Sequence, residues 1–165
     1  LALSVLAWAR IIPAAGGFLC GVYYSNMGFA VPGSIGAQVA NPRLRPLVIV
    51  GDGAFQMTGM ELSTAAHYGL SPIVIVLNND GYMTERFFLE GPFNDIQPWE
   101  FSRLPEVIGA GLGFDVHTED DLSHALAIAK DNVNSFTLLD VHVQPGDVSD
   151  RLRKLGESMG KTVRG

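Results

Sequence analysis

Cysteine is almost absent: Cys20 is the one thiol in 165 residues. No disulfide can form within the chain and there is no CxxC motif, which fits a reducing compartment, with the cytoplasm as the expected location. Charge is scarce too, at 17% of residues, and what there is sums to −6. No lysine/arginine cluster could track a phosphate backbone, so nucleic acid is excluded as a partner. Long apolar runs are missing. Leu1 to Leu6 is apolar, but Arg10 and Pro13 soon break the stretch, which is too short to span a bilayer. No membrane partner is expected. A signal peptide would need a basic start, which is missing. The start is instead expected to be cut from a longer chain. There is no internal repeat and no low-complexity linker.

What the chain has is apolar mass, 47% of residues, and 19 glycines. A chain this apolar is not disordered. Its length suits one domain with a real core. So little charge also hints at surface buried against other domains or subunits.

Two runs, Leu47-Val48-Ile49-Val50 and Ile73-Val74-Ile75-Val76-Leu77, are β-branched, lack alternation and follow Pro46 and Pro72. They predict parallel strands buried on both faces. Phe136 to Val143 predicts a further strand and Phe114 to Val116, next to His117, a shorter one. Helical spacing is expected over Gly28 to Val39, Phe55 to Tyr68, Asp120 to Asp131 and Arg151 to Met159, the last with Leu152 and Leu155 inward. Gly69 is the expected C-terminal stop of the second. Strands alternating with helices predict a three-layer α/β/α sandwich with a mainly parallel sheet. Ligands of such sheets sit beyond the carboxyl ends of the strands.

Those ends carry the chemistry. Gly51-Asp52-Gly53 follows the first strand and Asn78-Asn79-Asp80-Gly81 the second. Together they offer a carboxylate, amide oxygens and a flexible backbone carbonyl, hard ligands suited to Mg2+ or Ca2+. A helix starting near Phe55 would aim free N–H groups at an anion. An acidic chain holding a diphosphate needs a cation to mediate. Each motif alone is usually only a turn or cap.

The spacing lifts them above that. Gly51-Asp52-Gly53, 24 residues, then Asn78-Asn79 resembles the signature of thiamine-diphosphate enzymes. Leu77-Asn78-Asn79-Asp80-Gly81-Tyr82, Glu85, Gly91-Pro92, Asn94-Asp95-Ile96 and Trp99 resemble the pyruvate and indolepyruvate decarboxylase branch. Met27-Gly28-Phe29-Ala30 and Ile35-Gly36-Ala37 are similar to the segment beneath the aminopyrimidine. The resemblance covers about Tyr23 to Val143. It implies a thiamine-diphosphate-binding fold over residues 23–165, preceded by a poorly matched lead-in over 1–22.

The resemblance further implies thiamine diphosphate and Mg2+ as cofactors. Asp52, the side-chain oxygen of Asn79 and the main-chain oxygen of Gly81 would be the metal ligands. Gly51, Gly53, Ala54 and Tyr82 join them against the cofactor, with Met27 as the apolar wedge that keeps it bent. Glu85 is implied as the active-site acid in loss of CO2 from a 2-oxo acid, giving an aldehyde. The plainer alternatives are a core methionine for Met27 and a solvated glutamate at a helix start for Glu85.

The implied partners are a 2-oxo acid, an N-terminal pyrimidine-binding domain that is missing from this chain or lies on another subunit, and further copies in a homo-oligomer. An acetohydroxyacid-synthase-like carboligase shares the cofactor signature, and a non-catalytic domain keeping the fold is the third reading. Pro32-Gly33-Ser34 is expected to bend the first helix start. His67, His117, His124 and His142 lie outside the matched motifs and are expected to be structural or surface residues.

Overall fold

In a computed structural model the described residues are 17–21, 24, 26–147, 149–151, 153, 154, 156, 158 and 160. The expected lead-in, Leu1 to Leu6 included, lies largely outside them, as do Tyr23, Leu152, Leu155 and Met159.

Four parallel strands form one sheet: β1 (Leu47–Gly51), β2 (Ile73–Asn78), β3 (Leu112–Val116) and β4 (Thr137–His142), in the order β1-β2-β4-β3. All four fall on the expected runs, with β3 starting two residues before the expected Phe114. Around them run α1 (Ala30–Ala40), α2 (Asp52–Thr58), α3 (Leu62–His67), α4 (Met83–Arg86), α5 (Leu104–Ile108) and α6 (Glu119–Asp131). Residues 150, 151, 153, 154, 156, 158 and 160 are helical as well, covering the expected terminal helix and one residue beyond it at each end.

The core has two parts, one on each face of the sheet. Val48 and Val50 of β1, Val74 and Val76 of β2 and Leu138 of β4 face Val31 and Ile35 of α1, Phe55 of α2 and Leu62 and Ala65 of α3. Phe101 and Phe136 complete this larger cluster, and the Phe55 and Phe101 rings meet edge to face at 5.4 Å. On the other face, Val116 and Leu139 pack with Ala125 and Ala129 of α6. The result is helix, sheet, helix, the three layers expected.

Burial of the first two strands differs from the expectation. Along β1 and β2 buried residues alternate with partly exposed ones. Period-2 geometry sends Val48, Val50, Val74 and Val76 to the larger core. Ile73 and Ile75 only flank the smaller one. The cause is coverage: among the described residues, the second face is roofed by α6 on β3 and β4, away from β1.

Two helix expectations are refined. The helix after β1 starts at Asp52, three residues before Phe55, and is broken by a 3-10 turn at Gly59–Glu61. The Phe55 ring lies over Gly59, where a Cβ would come within 2.3 Å of it. Gly69, at φ +62°, ends the segment as expected. Pro32 sits in the first turn of α1, where its missing N–H has no intrahelical role, so α1 runs unbroken from Ala30. Thr118 and Asp121 form a reciprocal capping box at the start of α6.

Arg45 locks the layers together just before β1. Its guanidinium donates to the carbonyls of Ser71, Ala129, Lys130 and Asn132. Three of these lie at the C-terminal end of α6, where free carbonyls concentrate negative charge. Burial lowers the guanidinium pKa, and the charge of Asp131 partly restores it. Arg45→Met keeps the stem but strands those carbonyls, and is expected to lower unfolding free energy by about 1–3 kcal/mol in urea titration. An unchanged midpoint would show that the lock contributes nothing.

Candidate functional site

Register sets the site. Gly51 pairs with Leu77, so the residues following β1 and β2 emerge side by side at one edge of the sheet. Gly51 is extended at φ −74°, ψ 156° and α2 begins at once with Asp52. The turn from strand to helix carries Asp52 inward, and it is 2% exposed.

Burying a carboxylate demands partners, and the chain supplies backbone N–H groups. Oδ1 accepts from Gly53 N at 2.7 Å. Oδ2 accepts from Asn79 N at 3.1 Å and from Gly81 N at 3.0 Å. One side chain thus ties the end of β1 to the loop after β2. A carboxylate has about four acceptor positions, so three N–H bonds leave capacity for a cation. The Asn79 side chain is half-buried, and the Gly81 carbonyl, which accepts from Met83 N at 2.8 Å, has a second lone pair. These donors fit a hard divalent cation, and the sequence expectation that Asp52, Asn79 and Gly81 come together is met in space.

The loop has the strained backbone a close approach needs. Asp80 has φ +62° and Gly81 φ +132°. A Cβ on Gly81 would lie 2.5 Å from the Asn94 carbonyl oxygen. The same oxygen accepts from Tyr82 N at 2.9 Å, and buried Asn94 donates its side-chain amide to Leu89 O at 2.8 Å. Asn94 therefore braces the loop, a role its sequence position gives no sign of. The Tyr82 ring lies on Gly53, where a Cβ would be 2.4 Å from it. Gly51 and Ala54 flank this contact, both partly exposed.

Glu85 is on α4 and exposed, as a solvated glutamate would be. Neighbouring Arg86 bridges to Glu90 and to Asp95, each at 2.5 Å, which fixes α4 against the 91–95 turn. Hydrogen bonding to Asp95 leads the causes that raise the Arg86 pKa. From the other side the chain's end holds α4. A Cβ on Gly156 would come within 2.3 Å of the Phe87 Cβ, and one on Gly160 within 2.8 Å of the Phe87 carbonyl oxygen. Gly156 and Gly160, four apart on one helix face, let backbone approach backbone.

Met27 is 46% exposed, so it is no core methionine. Gly28 O accepts from Thr58 Oγ1 at 2.7 Å, which anchors the Met27 segment at the end of α2 farther from Asp52. Of the four histidines, His67 lies edge-on to Tyr68 and His124 is an exposed residue of α6. His117 and His142, distant in sequence, are brought together beside Asp115 by the pairing of β3 with β4.

Comparison with known proteins agrees with this geometry. The family described as "Thiamine pyrophosphate enzyme, C-terminal TPP binding domain" matches residues 5–141. An indole-3-pyruvate decarboxylase of Azospirillum brasilense is 40% identical over 139 residues, 84% of this chain and 25% of its own length. An alpha-keto-acid decarboxylase of Mycolicibacterium paratuberculosis is 38% identical over 122 residues, 72% of this chain and 22% of its own. Among solved structures, the thiamine diphosphate-dependent 4-hydroxybenzoylformate decarboxylase of Rhodococcus jostii RHA1 superposes with a TM-score of 0.66 at 29% identity. That match covers 74% of this chain and 24% of the other. The chain spans about a quarter of the length of each of these relatives. A buried aspartate joining two parallel-strand ends, in a chain matched over most of its length, makes this protein a member of the thiamine pyrophosphate enzyme family, in the part of it that is the C-terminal TPP-binding domain.

Proposed function

We propose that residues 23–165 hold the diphosphate end of thiamine diphosphate through Mg2+, as the C-terminal part of a non-oxidative 2-oxo acid decarboxylase that releases CO2 and an aldehyde. The observation that carries this is the Asp52 carboxylate, buried yet left with acceptor capacity, between the ends of β1 and β2. Asp52, the Asn79 side-chain oxygen and the Gly81 carbonyl would ligate the metal. Gly51, Gly53, Ala54 and Tyr82 would lie against the cofactor, and Met27 would be its apolar support. When bound, thiamine diphosphate supplies an electron sink for loss of CO2. Glu85 would deliver or hold a proton beside the reacting carbons.

Glu85 is exposed in the chain alone, as is an apolar set comprising Met27, Phe29, Met57 and Met60. Exposed apolar surface of this kind supports contact with other domains or subunits. It supports an N-terminal pyrimidine-binding domain and further copies as the partners that complete the site, and so a site incomplete in this chain by itself. Decarboxylation is preferred over carboligation because the Asn94-Asp95 stretch that braces the Tyr82 loop belongs to the decarboxylase-like motif. Among the described residues no helix is long and apolar enough to cross a membrane.

Asp52→Ala is expected to abolish Mg2+-dependent binding of thiamine diphosphate in calorimetry. Asp52→Asn, which retains one oxygen for the loop amides, should weaken it at least about tenfold while the fold persists. Parent affinity in the asparagine variant would remove Asp52 from the metal site. Glu85→Gln in the assembled enzyme should leave cofactor affinity unchanged and lower turnover by about 10²–10⁴. Turnover at the parent rate would make Glu85 structural. Sedimentation velocity of the chain should reveal a species of at least twice the monomer mass, and a monomer at every concentration would contradict self-association.

A further inference from the structure

The carboxyl edge of the sheet carries a second cluster that the thiamine-diphosphate reading does not use. Strands β3 and β4 run parallel, with Asp115 opposite Asp140. His142 lies two residues beyond Asp140 on the same face, and His117 two beyond Asp115. His142 Nε2 lies 2.7 Å from Asp115 Oδ1, and His117 Nε2 lies 3.1 Å from Asp115 Oδ2. The two imidazoles stack face to face, 4.2 Å between centroids and 10° from parallel. Both therefore present the same nitrogen to one carboxylate.

Three features favour a cation here. The first is charge. Asp140 is 2% exposed, and its Oδ2 lies 3.9 Å from His142 Nε2, so two carboxylates in register flank one imidazole. The second is the stack itself. It sets the two rings side by side, 4.2 Å apart, over one carboxylate, so that a single ion could reach a nitrogen of each. The third is reach. One ligand atom each from Asp115, His117 and His142 lie within 4.8 Å of one another. Tetrahedral bonds of about 2.0–2.2 Å place ligand atoms roughly 3.3 Å apart. All three side chains are exposed, so small rotations close the difference.

We propose that Asp115, His117 and His142 form a surface binding site for a divalent transition-metal ion of the zinc class. Two imidazoles and one carboxylate are a borderline-soft set that selects Zn2+ over Mg2+, in contrast to the all-oxygen donors around Asp52. Solvent supplies the remaining coordination positions, since the cluster opens outward. Asn78 orders the floor of the site by donating its side-chain amide to Asp140 at 2.9 Å. The proposal stands independently of thiamine diphosphate.

The test is titration of the 165-residue chain with ZnCl2 in excess MgCl2, followed by calorimetry, with Co2+ as an optical probe. One Zn2+ per chain is expected, with a visible ligand-field band for Co2+. His117→Ala and His142→Ala should each weaken Zn2+ binding about tenfold or more. His67→Ala with His124→Ala, and Cys20→Ser, should leave it unchanged. X-ray absorption of the Zn2+-loaded parent, which needs no variant, should show two imidazole ligands and no sulfur. Absence of a site tighter than about a millimolar would overturn the proposal, as would affinity indifferent to His117 and His142 or a ligand shell lacking two imidazoles.

Discussion

One carboxylate organises this edge of the molecule. Asp52 is the first residue of a helix and is almost fully buried, and it accepts N–H bonds from its own neighbour and from a loop 27 and 29 residues away in sequence. Without it the Asn79 and Gly81 amides would face a buried space unpaired. With it the loop after β2 is held in a left-handed conformation that its glycine permits. Asn94 holds that loop from beneath, and Arg86 holds Asn94's neighbour Asp95. The candidate metal ligands are thus preorganised by contacts that involve no metal, which is how a site keeps its shape before its ligand arrives.

The sheet makes this arrangement possible. Parallel strands bring all their carboxyl ends to one edge, so a motif after β1 and another after β2 meet despite the helices between them. The same geometry extends along the edge to β4 and β3. There Asn78 contacts Asp140, and beyond it stand His142, Asp115 and His117. Hard oxygen donors collect at one end of this row and imidazoles at the other.

Strands and family were legible in the sequence because their signals are local. Runs such as Val74-Ile75-Val76 identify a strand without knowledge of its neighbours. The Gly51-Asp52-Gly53 and Asn78-Asn79 motifs carry the family resemblance that implies the cofactor class. What the sequence concealed was non-local. Nothing near Arg45 reveals that it caps α6, and nothing near Gly156 reveals that it seats against Phe87. Half-burial of Ile73 and Ile75 depends on where α6 lies. The 3-10 break at Gly59 comes from the Phe55 ring folding over it, which a helical period does not record. His117 and His142 read as separate surface residues until the register of β3 with β4 is known.

The central claim is that the Asp52, Asn79 and Gly81 oxygens share one metal ion with a diphosphate. Anomalous scattering from Mn2+, in crystals grown with thiamine diphosphate, addresses it directly. A single Mn2+ peak is predicted in contact with the Asp52 carboxylate, the Asn79 side-chain oxygen, the Gly81 carbonyl and the diphosphate. A bound diphosphate whose Mn2+ lies elsewhere, with Asp52 bonded only to backbone amides, would contradict it.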